Sequence, residues 1–160
     1  LMLPLAPIFI RSKEILLELS NLLDEERVAF GGLNSDVILS LAEQKKTLLE
    51  EMNALNEKRI KVLVKFDIVD RKNPTEQEFK TWLAKQDNSM DDIRQLMQEC
   101  ESALQECKTK NHSNARILNT LQKRNKSLFE LLQGHSNKNK VYTARGATHP
   151  VSSKHTLGRA

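Results

Sequence analysis

The chain has 160 residues, only 4% of them aromatic and 29% charged, with nine Gly and Pro together. That composition suits a helical protein with a thin Leu-rich seam and excludes the loop-rich, aromatic-rich build of most enzyme pockets. Net charge is +4, but residues 134–160 hold five basic side chains and no acidic one, so the preceding part carries 20 basic against 21 acidic. We therefore assign the basic excess to the C-terminal tail and expect no general nucleic-acid surface.

The opening LMLPLAPIFI is apolar but too short to span a bilayer, which takes roughly 20 residues, and it lacks the basic start and small-residue cleavage site of a secretory signal. We assign residues 1–10 no role and begin the bundle at residue 11. A first helix is expected from Ile8 to Phe30, with Leu16, Leu19, Leu23 and Phe30 on one stripe and Gly31-Gly32 as its stop. Asn34 or Ser35 then caps a second helix reaching Asp70. Its heptad row is Ile38, Leu41, Lys45, Leu48, Met52, Leu55, Arg59, Val62, Phe66 and Val69. Eight apolar residues in ten is a coiled-coil-like signal.

Pro74 breaks the run. Thr75 and Glu78 form a capping-box pattern for a short crossover helix from Glu76 to Lys85, where Phe79 and Trp82 cover the bundle. Ser89 is the expected cap of the last long helix, from Met90 to Gln133, with Asp91 and Asp92 at its positive end. Its row runs Ile93, Met97, Cys100, Leu104, Cys107, Asn111, Asn114, Leu118, Leu121, Asn125, Leu128, Leu132. Gly134 is the expected helix end, and residues 134–160 a basic flexible tail. Long helices with short turns favour antiparallel neighbours. The expected fold is all-α: an elongated antiparallel three-helix bundle spanning 11–133, with a short crossover helix and a flexible C-terminal tail.

Three asparagines on an otherwise apolar row need a reason, because Asn is a mediocre helix former and a costly core residue. A buried Asn fixes register when only one alignment satisfies its amide. The other reading turns Asn111 and Asn114 toward a partner through a gap in the bundle. Cys100 and Cys107 stand roughly 10 Å apart along a helix, at ~1.5 Å per residue, beyond disulfide reach. We expect free thiols in a reducing compartment. With His112 they match no zinc spacing. No phosphate loop, dinucleotide fingerprint or metalloprotease motif is present, and a tail of histidines and hydroxyls has no scaffold for nucleophilic catalysis. We expect no catalytic, cofactor or metal site. Tyr142, the single tyrosine, lies beside Val141 in a polar tail that has no core to build, which suggests a partner anchor. Leu157 is the tail's other apolar anchor.

The pattern N-x-x-N-x-x-I-L at Asn111, Asn114, Ile117 and Leu118, followed by Arg124-Asn125 and a Leu-rich end, resembles the last helix of the FlgN family. The tail VYTARGATHPVSSKHTLGRA is similar to that family's C-terminus, and EQKKTLLEEMNAL, Glu43 to Leu55, fits its earlier helices. The resemblance implies a non-catalytic cytoplasmic chaperone of flagellar type III export. Such a chaperone holds hook-associated proteins by their C-terminal helical segments, prevents early assembly and delivers them to the export gate, without stable membrane insertion. Asn111, Asn114, Leu118, Val141, Tyr142 and Leu157 are then the candidate partner contacts. The rivals are nonspecific nucleic-acid binding through the basic tail and a coiled-coil adaptor.

Overall fold

The computed structural model describes the backbone of residues 3–147 and side chains at 3–127, 130 and 131. Among the described residues there is no strand. The elements are α1 (Ala6–Gly32), α2 (Ser35–Lys65), α3 (Glu76–Ala84), a 3-10 turn (Asn88–Met90) and α4 (Asp91–Ala147). The all-α expectation is met. The chain forms two compact units, Leu1–Ala115 and Arg116–Ala160.

In the first unit α1 and α2 are antiparallel. Arg11, early in α1, pairs with Glu51 at 2.7 Å, while Glu26, late in α1, pairs with Lys45 at 2.7 Å. Against α4, α1 is parallel and in fixed register. Cys100 Sγ donates to Phe9 O at 3.3 Å, Cys107 Sγ to Leu16 O at 3.2 Å, and Asn114 Nδ2 to Leu23 O at 2.8 Å. The order is up, down, up, and the seven-residue step of the α4 row meets the same step on α1.

Two apolar clusters form the core. One joins Leu5, Phe9, Leu63, Phe79, Ile93 and Met97; the other joins Ile15, Leu19, Leu23, Leu48, Ala103 and Cys107. The N-terminal residues belong to this core. Leu5 is fully buried, with Leu3, Ile8 and Phe9 buried around it, so side chains before residue 11 pack into the core. An apolar run with two prolines looked like an appendage because its partners on α2, α3 and α4 are remote in sequence. Pro7 sits in the first turn of α1, where a missing N–H costs nothing.

Three helix ends also differ from expectation, those of α1, α2 and α4. α1 continues through Gly31 and Gly32, and Leu33 takes the left-handed conformation at φ 52°. There Asn34 N–H reaches Ala29 O at 3.3 Å and Leu33 N–H reaches Phe30 O at 3.2 Å, a Schellman closure. Asn34 must simultaneously cap α2 through Val37 N–H, which forces the reversal onto the residue before it. α2 stops at Lys65 rather than Asp70. Asp67 takes φ 54°, Ile68 N–H turns back to Leu63 O at 2.9 Å, and both Ile68 and Leu63 are buried in the first cluster. Burying Ile68 outweighs continuing the helix.

α3 follows the capping signal. Glu78 N–H donates to Thr75 Oγ1 at 3.2 Å, but the Glu78 carboxylate accepts from Asp70 N–H and the Thr75 hydroxyl. The far end of α3 is closed by Arg94, whose guanidinium donates to Leu83 O and Gln86 O at 2.7 and 2.6 Å. Asp87 rather than Ser89 accepts at the entry to α4, from Ser89 N–H. Finally, α4 does not end at Gly134: its backbone stays helical to Ala147. A single Gly in a helix costs only about 1 kcal/mol, and the next proline is Pro150.

Candidate partner-binding surfaces

The α2 row predicted from the heptad is the inward face, and its two charged members explain themselves. Arg59 lies over the Phe9 ring at 5.9 Å and donates to Glu76 at 2.9 and 3.1 Å. Lys45 reaches Glu26, whose residue exposure is 6%. The same carboxylate accepts from Asn114 Nδ2 at 3.0 Å. Lys45, Glu26 and Asn114 thus tie α2, α1 and α4 together at one level of the bundle.

Asn114 is 2% exposed and its amide is spent on Leu23 and Glu26. It lies inside the first unit and offers no face to a partner, so the register reading describes its position. Asn111 and Asn125 are exposed, which corrects the expectation of three asparagines on a buried face. α4 turns Cys107, Lys110 and Asn114 toward α1, where Lys110 reaches Ser20 and Asp24, and Asn111 falls off that face. Leu118 is 39% exposed, and Ile117 and Leu121 are half-buried. Val141 and Tyr142 fall within the helical backbone of α4, but their side chains lie outside the described residues, as does all of Leu157. Asn111 and Asn114 belong to the first unit, Leu118, Val141 and Tyr142 to the second.

Sequence reasoning missed a groove of about 350 Å³ in the first unit. Phe9, Ser12 and Leu16 of α1 line it with Met52 and Arg59 of α2 and Met97 and Leu104 of α4. Methionines suit such a surface because their flexible, polarizable side chains adapt to different partners. The charges around it are already paired: Arg59 with Glu76, and Glu101 with Lys80 at 2.8 Å. The only signal in the sequence was two methionines among the leucines of the α2 and α4 rows. Cys100 also lines this groove. Burial, then the Glu99 charge, pushes its thiol pKa up; burial does the same for Cys107. Both stay protonated, the state in which they donate to carbonyl oxygens.

The basic excess begins earlier than the tail. Residues 1–115 hold 16 basic and 20 acidic side chains, net −4; residues 116–160 hold nine basic and one acidic, Glu130, net +8. Ahead of Gly134, Arg116, Lys123, Arg124 and Lys126 add to it on a helix that also carries the apolar row. Among the described residues no helix is long and apolar enough to cross a membrane.

The family model described as FlgN protein matches residues 5–150 of the chain. Comparison with curated proteins and with solved structures gave no match.

Proposed function

We propose that this chain, which belongs to the FlgN family and with it to the flagellar export chaperones, works in the cytoplasm and holds hook-associated proteins by their C-terminal amphipathic helices. It keeps them from assembling early and delivers them to the export gate. The observation that carries the client site is the incompletely covered apolar row Ile117, Leu118 and Leu121 on α4, in a unit whose charge is almost all basic. Such a row offers a client helix an apolar seam with spacing i, i+1, i+4, which is helix-in-groove recognition. Val141, Tyr142 and Leu157 serve the same role as anchors toward client or gate.

A second seat is favoured by the Met52 and Met97 groove, which accepts one apolar side chain without unpairing the charges around it. Calorimetric titration of the full chain against a C-terminal segment of a hook-associated protein tests both. Leu118→Asp is expected to weaken binding at least tenfold, ~1.4 kcal/mol, and Leu104→Asp to do so if the groove is used. Tyr142→Ala is expected to weaken binding to the gate's cytosolic domain. Unchanged affinities in all three variants overturn the assignment of these surfaces.

A further inference from the structure

We propose that the helix of the second unit carries an adsorption face for an anionic lipid surface, beside the client seam. Arg116, Lys123, Arg124 and Lys126 are all exposed. At about 100° per residue, Lys123 lies about 20° from Arg116, while Arg124 and Lys126 lie about 80° to either side. The four cations therefore share one side of the helix. Of the client seam, Leu118 and Leu121 project from the other side, about 200° and 140° from Arg116, while Ile117 borders the basic side at about 100°. Glu130 is the one carboxylate on the basic side, about 40° from Arg116, so the four cations outnumber it, and no other acidic residue lies between Glu106 and Glu130.

Charge alone would equally suit a nucleic acid or an acidic polypeptide. Leu131 decides for lipid. It is 70% exposed and falls within the basic arc, about 20° from Arg124 two turns on. A phosphate backbone has no seat for an exposed aliphatic side chain, whereas a headgroup layer takes one beneath its phosphates while the surrounding Lys and Arg hold the anions. Between residues 116 and 131 no aromatic residue falls on that arc to stack on a base. The result is peripheral adsorption, reversible and salt-sensitive, with no helix entering the hydrocarbon.

The test is sedimentation of the full chain with vesicles of phosphatidylcholine, with and without phosphatidylglycerol. Binding is expected only to the anionic vesicles and should be released by high salt. Each cation contributes roughly fivefold to partitioning, so Lys123→Glu/Arg124→Glu/Lys126→Glu should lose at least two orders of magnitude. Leu131→Ser should lose several-fold on vesicles while binding of the client segment stays unchanged for both variants. Those two variants should melt with the parent chain. Equal binding to both vesicle types, no binding by the parent chain, or an unaffected triple variant overturns the proposal. Tighter binding to a DNA duplex or an acidic polypeptide at the same salt, insensitive to Leu131→Ser, overturns it in favour of that ligand.

Discussion

At the scale of single residues, Asn114 has two acceptors on α1, one of which is a buried carboxylate shared with α2. Judged from the heptad alone, Asn114→Leu should leave helicity intact and raise stability. With Glu26 beside it the sign reverses, because the variant removes a partner from a carboxylate that stays buried. We expect a loss of about 1–3 kcal/mol in denaturant titration, with helical circular dichroism unchanged. The triple change Glu26→Leu, Lys45→Leu, Asn114→Leu should recover that loss, since well-packed apolar groups often match a buried ionic network. A single variant as stable as the parent would show the network contributes nothing. Cys100 and Cys107 make a second residue-scale case. Their raised pKa values keep the thiolate scarce at neutral pH, and the thiolate is the nucleophile. Alkylation by iodoacetamide should be at least about tenfold slower than for a free thiol in the folded chain and normal in denaturant. Equal rates would mean the α1–α4 contact opens readily.

At the scale of elements, the α1–α2 corner places a leucine where the backbone is left-handed. Leu33 is 63% exposed and buries little there. A non-glycine residue in that region costs roughly 1–2 kcal/mol, partly offset by the extra freedom glycine gives the unfolded chain. Leu33→Gly should therefore stabilise the protein by about 0.5–1 kcal/mol, read as a shift in the denaturation midpoint; a destabilised variant would refute the corner geometry. The start of the chain gives the opposite prediction. Leu5 is wholly buried in the cluster that holds Phe79 and Ile93, so Leu5→Ala should cost about 2–5 kcal/mol. Stability unchanged by Leu5→Ala would return residues 1–10 to the status of an appendage.

For the whole molecule, pairs across helices set the acid response. Arg11 holds Glu51 below the ordinary carboxylate value of 4.5, and Lys13, helped by Gln95, does the same for Glu99. The Ser89 hydroxyl and amide hold Asp87 below 3.8. A lowered folded-state pKa gives stability that is fully present above the unfolded value and lost as pH falls through the folded one. The melting temperature should thus be insensitive to these groups from pH 7 to 5 and fall below about pH 4.5. Asp87 is exposed and Glu51 and Glu99 are only half-buried, so added salt should shrink the acid effect. A steep loss already between pH 7 and 5 would point instead to a group deeper in the fold.

Local chemistry determined much of this protein by itself. Periodicity marked the long helices and the inward row of α2, down to Lys45 and Arg59 as its two odd members. Thr75 and Glu78 marked the start of α3, and the spacing of Cys100 and Cys107 excluded a disulfide. The motif at Asn111, Asn114, Ile117 and Leu118 led to the family. These signals rest on neighbours within a few residues, which is the range over which sequence dictates conformation. Tertiary structure decided the rest. Leu3 and Leu5 became core because α2, α3 and α4 come to meet them. Ile68 ended α2 because folding back on Leu63 buried it. Asn114 became internal because α4 turns it with Cys107 and Lys110 toward α1, while Asn111 lies off that face and stayed in water. The Met52 and Met97 groove exists only where three helices from distant parts of the chain leave a gap. Each of these depends on what a side chain meets across the bundle, and that is set by packing between elements rather than by the residues on either side of it.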